Sequence, residues 1–239
     1  MRQLLLMILV LVPSSAAMAQ QWEVSRMPWG DPDIQGIWTS ATLTTLDRPD
    51  ELEDLVLTEE QARFLEQYGE DMLKSIDDLP EGDLTAGEDV GGYNAAWLDP
   101  GTRVLRVNGE PRSSIIVEPE DGHVPYTLWG RGRFYWQGYT FIARHDNPEE
   151  RPLGERCTVG FGSTGGPPML PVLYNNNYQF VQTKDVILIL VEMNHDVRTV
   201  RMGGKPLPKA VRPWLGDSLG HWEGDTLVVR TTGFHLQQN

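Results

Sequence analysis

Cysteine is almost missing from this chain: Cys157 is the only one among 239 residues. An intramolecular disulfide is thereby excluded, and stability has to come from a packed core or a bound ligand. Basic residues are scarce as well. The 20 Lys and Arg stand against 34 Asp and Glu, and the formal charge of −14 sets a field that repels phosphate backbones and anionic lipid. No nucleic-acid partner is expected. Beyond the first twenty residues, long hydrophobic runs are absent too. The longest aliphatic stretch there is Val186 to Val191, enough for one strand but far short of the roughly 20 residues that span a bilayer. There is no internal repeat.

What is present begins with an address. Arg2 supplies a positive n-region, Leu4 to Val12 an apolar run, and Ala17-Met18-Ala19 the small-x-small pattern that signal peptidase needs. Cleavage after Ala19 is expected, and no Cys follows the cut to carry a lipid anchor. The mature product is then periplasmic or secreted, one charge unit more acidic, and without a membrane span. Cys157, although it follows Arg156, reads as a small buried hydrophobe rather than an activated thiolate.

With 40% hydrophobic residues, 8 Trp, 7 Tyr and 6 Phe, the chain can build a core. Three segments are expected: the signal at 1–19, an N-terminal strand, helix and acidic loop over 20–90, and an antiparallel β domain over 91–239. Pro32 to Gly36 reads as a turn into a strand that opens Gly36-Ile37-Trp38, as many lipocalin-like barrels do. Thr58-Glu59-Glu60-Gln61 fits a capping box, and Leu65, Tyr68 and Met72 recur at helical spacing, so a helix is expected over 59–74. The loop from Asp77 to Asp89 is acidic but lacks calcium-loop spacing. Ser114 to Val117 is β-rich. The aromatic stretch 126–145 is ambiguous, with core or pocket lining ranked ahead of a carbohydrate or aromatic ligand platform. Tyr178–Gln182 and Val186–Met193 flank a short turn as a hairpin, Val197–Met202 forms a further strand, and Gly224-Asp225 joins one more hairpin. Sequential hairpins imply an antiparallel meander that closes into a lipocalin-like barrel or packs as a sandwich.

Four long motifs carry a resemblance: Tyr93 to Arg103, Ser113 to Gly122, Pro148 to Cys157, and Trp214-Leu215-Gly216-Asp217-Ser218 with Gly220 to Val229. Together, over roughly residues 90–234, the chain resembles a family of exported bacterial proteins without an assigned activity. The resemblance implies further strands after Thr231-Thr232-Gly233-Phe234, hence a truncated sequence, and it brings no catalytic residues with it. Two departures stand out. His221 occupies a position usually held by Arg, and 126–145 is more aromatic than the charged helix often found there.

Glu192, His195, Asp196 and Arg198 crowd a break between two strands. A carboxylate beside an imidazole can orient a general base, and an Arg can clamp a carboxylate or an oxyanion. His195 is therefore the candidate acid–base group, with Glu192 or Asp196 orienting it, although strand alternation would put His195 on the opposite face. Arg156, Tyr178, Arg198, Trp214 and Asn176 are the candidate ligand-binding residues, Asn176 as part of a polar rim Asn175-Asn176-Asn177. His221 and Glu223 are weak metal candidates, sharing a strand face without a third ligand nearby in sequence. The leading expectation is an exported β protein that binds a small apolar or aromatic molecule. A hydrolase or lyase using His195 and a cell-envelope interaction protein are the alternatives. Neither cofactor nor oligomeric state follows from the sequence.

Overall fold

Local signals account for most elements of the computed structural model, which describes residues 24–77, 97–143, 146–160, 165–166 and 168–237. The signal segment, most of the acidic loop and the expected boundary near residue 90 lie outside the described residues. The chain divides into residues 1–33 and 34–239. In the first unit, residues 24–33 make a small turn: Gly30 N–H donates to Met27 O at 2.8 Å and Asp33 N–H to Ser25 O at 2.8 Å.

In the second unit, the capping box forms as its sequence demands. Thr58 N–H donates to Gln61 Oε1 at 2.8 Å, and Gln61 N–H donates to Thr58 Oγ1 at 3.2 Å. This satisfies two donors at the start of α1 (Glu59–Asp77). The helix is longer than expected and rotated: Ala62 and Leu65 pack with Leu57, Val104, Leu43 and Leu52, while Tyr68 and Met72 are exposed. Gly69 lies on the packed face. A Cβ there would lie 2.8 Å from Leu43 Cδ1, so a larger residue would make the Leu43 side chain shift.

The six-stranded sheet has the order β1 (Gly36–Thr39), β4 (Asn177–Gln182), β5 (Val186–Val191), β6 (Val197–Met202), β7 (Asp217–Glu223) and β8 (Thr226–Thr232). A separate two-stranded ribbon pairs β2 (Arg106–Val107) with β3 (Glu110–Pro111). All neighbours in the large sheet are antiparallel except β6 and β7, which run parallel with Val200 opposite Ser218. The expected meander is corrected at this pair: residues 203–216 carry the chain back along the sheet, so β7 starts from the same end as β6. No closed barrel is found among the described residues. Nor is any helix there long and apolar enough to cross a membrane.

β5 is aliphatic throughout, yet it alternates. Ile187, Ile189 and Val191 are buried and Leu188 and Leu190 are exposed, as the two-residue period of a strand requires. The buried set joins Tyr178, Met193 and Val200 in one core, with Phe180, Met202 and Trp222 packed against it. Each such side chain contributes about 1.5–3 kcal/mol over leaving it in water.

Three expectations need correction. Residues 128–143 form a helix, α2 (Leu128–Ala143), and its described aromatics Trp129, Phe134, Tyr135 and Trp136 are exposed rather than core or pocket lining. Ser114–Val117 forms no strand. Ser113 Oγ donates to Asp54 O and Ser114 Oγ to Ile116 O, and such local bonds compete with a ladder. Cys157 is exposed, at φ 50°, instead of buried.

Candidate functional site

The break between β5 and β6 decides where the clustered polar residues go. Asn194 and His195 both take left-handed backbone, φ 60° and 57°, inside a 3-10 turn at Met193–His195. Asn tolerates this conformation and anchors it, its Nδ2 donating to Cys157 O at 3.2 Å. The turn separates Glu192 from Asp196 and Arg198. Glu192 is exposed, and its Oε2 accepts from Asn177 N–H at 3.1 Å and Asn177 Nδ2 at 2.9 Å. That carboxylate fastens the end of β4 to the end of β5 rather than orienting His195, whose side chain is exposed.

Asp196 and Arg198, by contrast, turn inward. Arg198 sits on β6 on the same side as Val200 and is only 4% exposed. One of its terminal nitrogens donates to Leu215 O at 3.0 Å, Ser218 Oγ at 2.9 Å and Thr231 Oγ1 at 3.4 Å. The other donates to Gly165 O and Gly166 O. The guanidinium thus ties β6 to β7, β8 and two loops through neutral acceptors. Burial lowers its pKa, and the charge of Asp196 opposes that shift. Asp196 is held by Gly160 N–H, which donates to Oδ2 at 3.0 Å. Burial pushes its carboxyl above the ordinary range, offset in part by Gly160 N–H, Arg198 and His195.

Between this pair and the 207–216 loop lies a crevice of about 460 Å³, with Leu207, Pro213, Trp214 and Leu215 on one wall and Asp196, Arg198, Arg201 and Asp217 among the polar lining. The loop is pinned at both ends. Asp217 accepts from Leu207 N–H at 2.8 Å and from Arg201 at 2.8 Å. Desolvation acts to raise Asp217, but Leu207 N–H and the Arg201 guanidinium outweigh it and hold the carboxyl below the usual range. Gly216 takes φ 70°, and a Cβ there would lie 2.8 Å from Thr231 Cγ2, so the turn into β7 depends on glycine. Trp214 packs on the His235 ring at 3.9 Å between centroids.

Of the residues expected to bind ligand, Arg198 and Trp214 line this crevice, together with Asp196 from the expected catalytic set. The others lie elsewhere. Tyr178 is buried in the sheet core, where burial raises its pKa against the effect of a bond to the Ser40 hydroxyl. Asn176 is fully buried; its Oδ1 accepts from Val172 N–H at 2.8 Å, and its Nδ2 donates to Asp99 O and Val172 O at 2.7 Å. Those bonds make it a clasp for the chain before β4 rather than a rim. Arg156 is half-buried in the 151–158 turns, outside the crevice lining. His221 Nε2 and Glu223 Oε1 are 2.9 Å apart on the exposed face of β7. Among the described residues, no group of three or more His, Cys, Asp or Glu could hold a metal.

Leu207, Arg201 and Asp217 are the site residues that sequence reasoning missed. Asp217 was within reach, since it belongs to the Trp214-to-Ser218 motif at a strand start; Leu207 sits in a proline-rich stretch with no periodicity. No family model matches the chain, and no curated protein and no solved structure matches it either.

Proposed function

We propose that the crevice beside β6 and β7 binds a small, mainly apolar or aromatic molecule carrying one hydrogen-bonding group. The observation that supports this is its lining, which combines apolar residues including Trp214 with a buried cation and a half-buried carboxyl. Small-ligand sites combine these two features, at volumes of roughly 300–1,000 Å³. Arg198 has its terminal N–H groups bonded to protein acceptors, so it shapes the field of the site, while Asp196 offers the oxygen for a ligand hydroxyl or amine. Export to the periplasm or medium belongs to the same reading and rests on Arg2, the Leu4–Val12 run and Ala17-Met18-Ala19. So does a lipocalin-like closure, which would have to act at the edges β1 and β8 of the sheet.

A hydrolase or lyase reading moves from His195 to Asp196, because a carboxyl with a raised pKa inside a cleft is suited to acid–base work. Equilibrium dialysis with a panel of small aromatic compounds, run on the parent, Trp214→Ala and His195→Ala, separates these readings. A ligand site in the crevice predicts about tenfold or greater weakening in Trp214→Ala and little change in His195→Ala. Binding unaffected by Trp214→Ala refutes the crevice. If His195→Ala instead abolishes a turnover while binding persists, the catalytic role returns to His195.

A further inference from the structure

Two surfaces away from the crevice are complementary to each other. The first is α2. Among its described side chains, Leu128 is 92% and Trp129 72% exposed, and Phe134, Tyr135 and Trp136 are also more than half exposed. A helix this apolar belongs inside a core, a membrane or a partner. It contains Arg131 and Arg133 and no acidic residue. The Arg133 guanidinium lies 5.2 Å from the centroid of the Trp129 ring.

The second surface is a groove of about 430 Å³ along α1, lined by Leu52, Phe64 and Leu65 together with Glu51 and Glu60. Phe64 is 69% exposed. Glu51 and Glu60 have no ion-pair partner among the described residues, and α1 as a whole carries six carboxylates against two cations. Apolar cores with charges matched at the rim are how specific interfaces are built.

We propose that α2 of one copy of this chain docks in the α1 groove of a second copy, and reciprocally. Trp129, Tyr135 and Trp136, which share one side of α2, enter against Phe64 and Leu65, and Arg131 and Arg133 on the two flanks of that side face Glu51 and Glu60. Each copy supplies one helix and one groove, so a two-fold axis closes the pair without leaving a free end. An aromatic side chain buries about 150–250 Å²; three from each copy, even half covered, supply about 450–750 Å², and the groove walls they cover bring the total to about the 1,200 Å² at which specific interfaces begin. The acidic chain disfavours an anionic membrane as the occupant, since the remainder of the molecule is repelled from it.

Sedimentation velocity on the whole exported chain, from about 1 to 100 µM, is the test, with two charge-swapped variants: R131E/R133E on the helix and E51K/E60K on the groove. Arg131, Glu51 and Glu60 are exposed and Arg133 is half-exposed, so unfolding midpoints should stay close to the parent; Phe64→Ser provides an independent lesion in the groove. The expected result is a dimer that each double swap, and Phe64→Ser, weakens by about tenfold or more. An equimolar mixture of the two double swaps should restore it, because helix and groove charges are again opposite at both contacts. A monomer at every concentration overturns the proposal, as does a dimer indifferent to the swaps. So does a monomer that co-sediments with phosphatidylglycerol vesicles through Trp129. None of these results bears on ligand binding at Trp214.

Discussion

Arg198→Met removes the group that joins the most elements around the crevice. In its absence the carbonyls of Leu215, Gly165 and Gly166 lose their donor, while the Ser218 hydroxyl keeps its bond to Thr231 Oγ1. A buried acceptor left unpaired costs about 1–3 kcal/mol, and water entering the open side of the crevice holds each near the lower end. Methionine returns part of the loss by avoiding the desolvation of a charge. The balance is a destabilisation of about 3–5 kcal/mol, a large share of the 5–15 kcal/mol typical of a domain. With a urea slope near 2 kcal/mol/M, the midpoint should fall by about 2 M. Equilibrium urea unfolding followed by far-UV circular dichroism measures this, and Arg198→Lys, which keeps the charge but loses the fork, should lie between parent and Met. An Arg198→Met midpoint within about 0.5 M of the parent would refute the reasoning, because the guanidinium would then balance its own burial cost and tie nothing together.

The remaining predictions concern other named bonds. Asn176→Asp should destabilise more than Asn176→Ala, about 4 against about 2–3 kcal/mol, because a carboxylate oxygen would replace an amide that donates to Asp99 O and Val172 O; thermal unfolding of the pair reports the order. Asp217 has a lowered pKa in the fold, so its contribution is present above the ordinary Asp value, near pH 4, and is lost as pH falls through the lower folded value. The stability gap between the parent and Asp217→Asn should therefore close as pH falls below the ordinary Asp value and through the lower folded one. Asp196 has a raised pKa and behaves oppositely. Asp196→Asn should be more stable than the parent at neutral pH, with the gain fading as pH falls through the raised folded value and gone below the ordinary Asp value near pH 4; urea midpoints across pH test both signs. Cys157 is exposed and should be labelled stoichiometrically by a maleimide in the folded protein, with no need for denaturant.

What was legible in the sequence was what short segments decide by themselves. The capping box at Thr58 and Gln61, the β4–β5 hairpin and the β7–β8 hairpin at Gly224-Asp225 depend on residues within a few positions of one another, and each forms where its pattern lies. The parallel pairing of β6 with β7 depends on how residues 203–216 return along the sheet, which no local period records. α2 was hidden by its composition, since Gly130, Gly132 and Gly138 argue against a helix and its aromatics suggest burial. In the candidate site, the sequence brought together Asp196, Arg198 and Trp214 for separate reasons, and the crevice is where they meet. It misplaced Glu192 and His195 because two consecutive left-handed residues turn the backbone through the break, and side-chain alternation assumes that the strand runs on. Asn176 reads like its neighbours in a polar triplet, yet Asn175 takes the left-handed turn at φ 58° and Asn176 goes inward.

Native mass spectrometry of the chain purified from an exported fraction, run beside Trp214→Ala, addresses the crevice most directly. The account predicts a retained small organic mass on the parent that is absent or sharply reduced in Trp214→Ala. A parent that flies without any adduct, or an adduct held equally by both proteins, would contradict it.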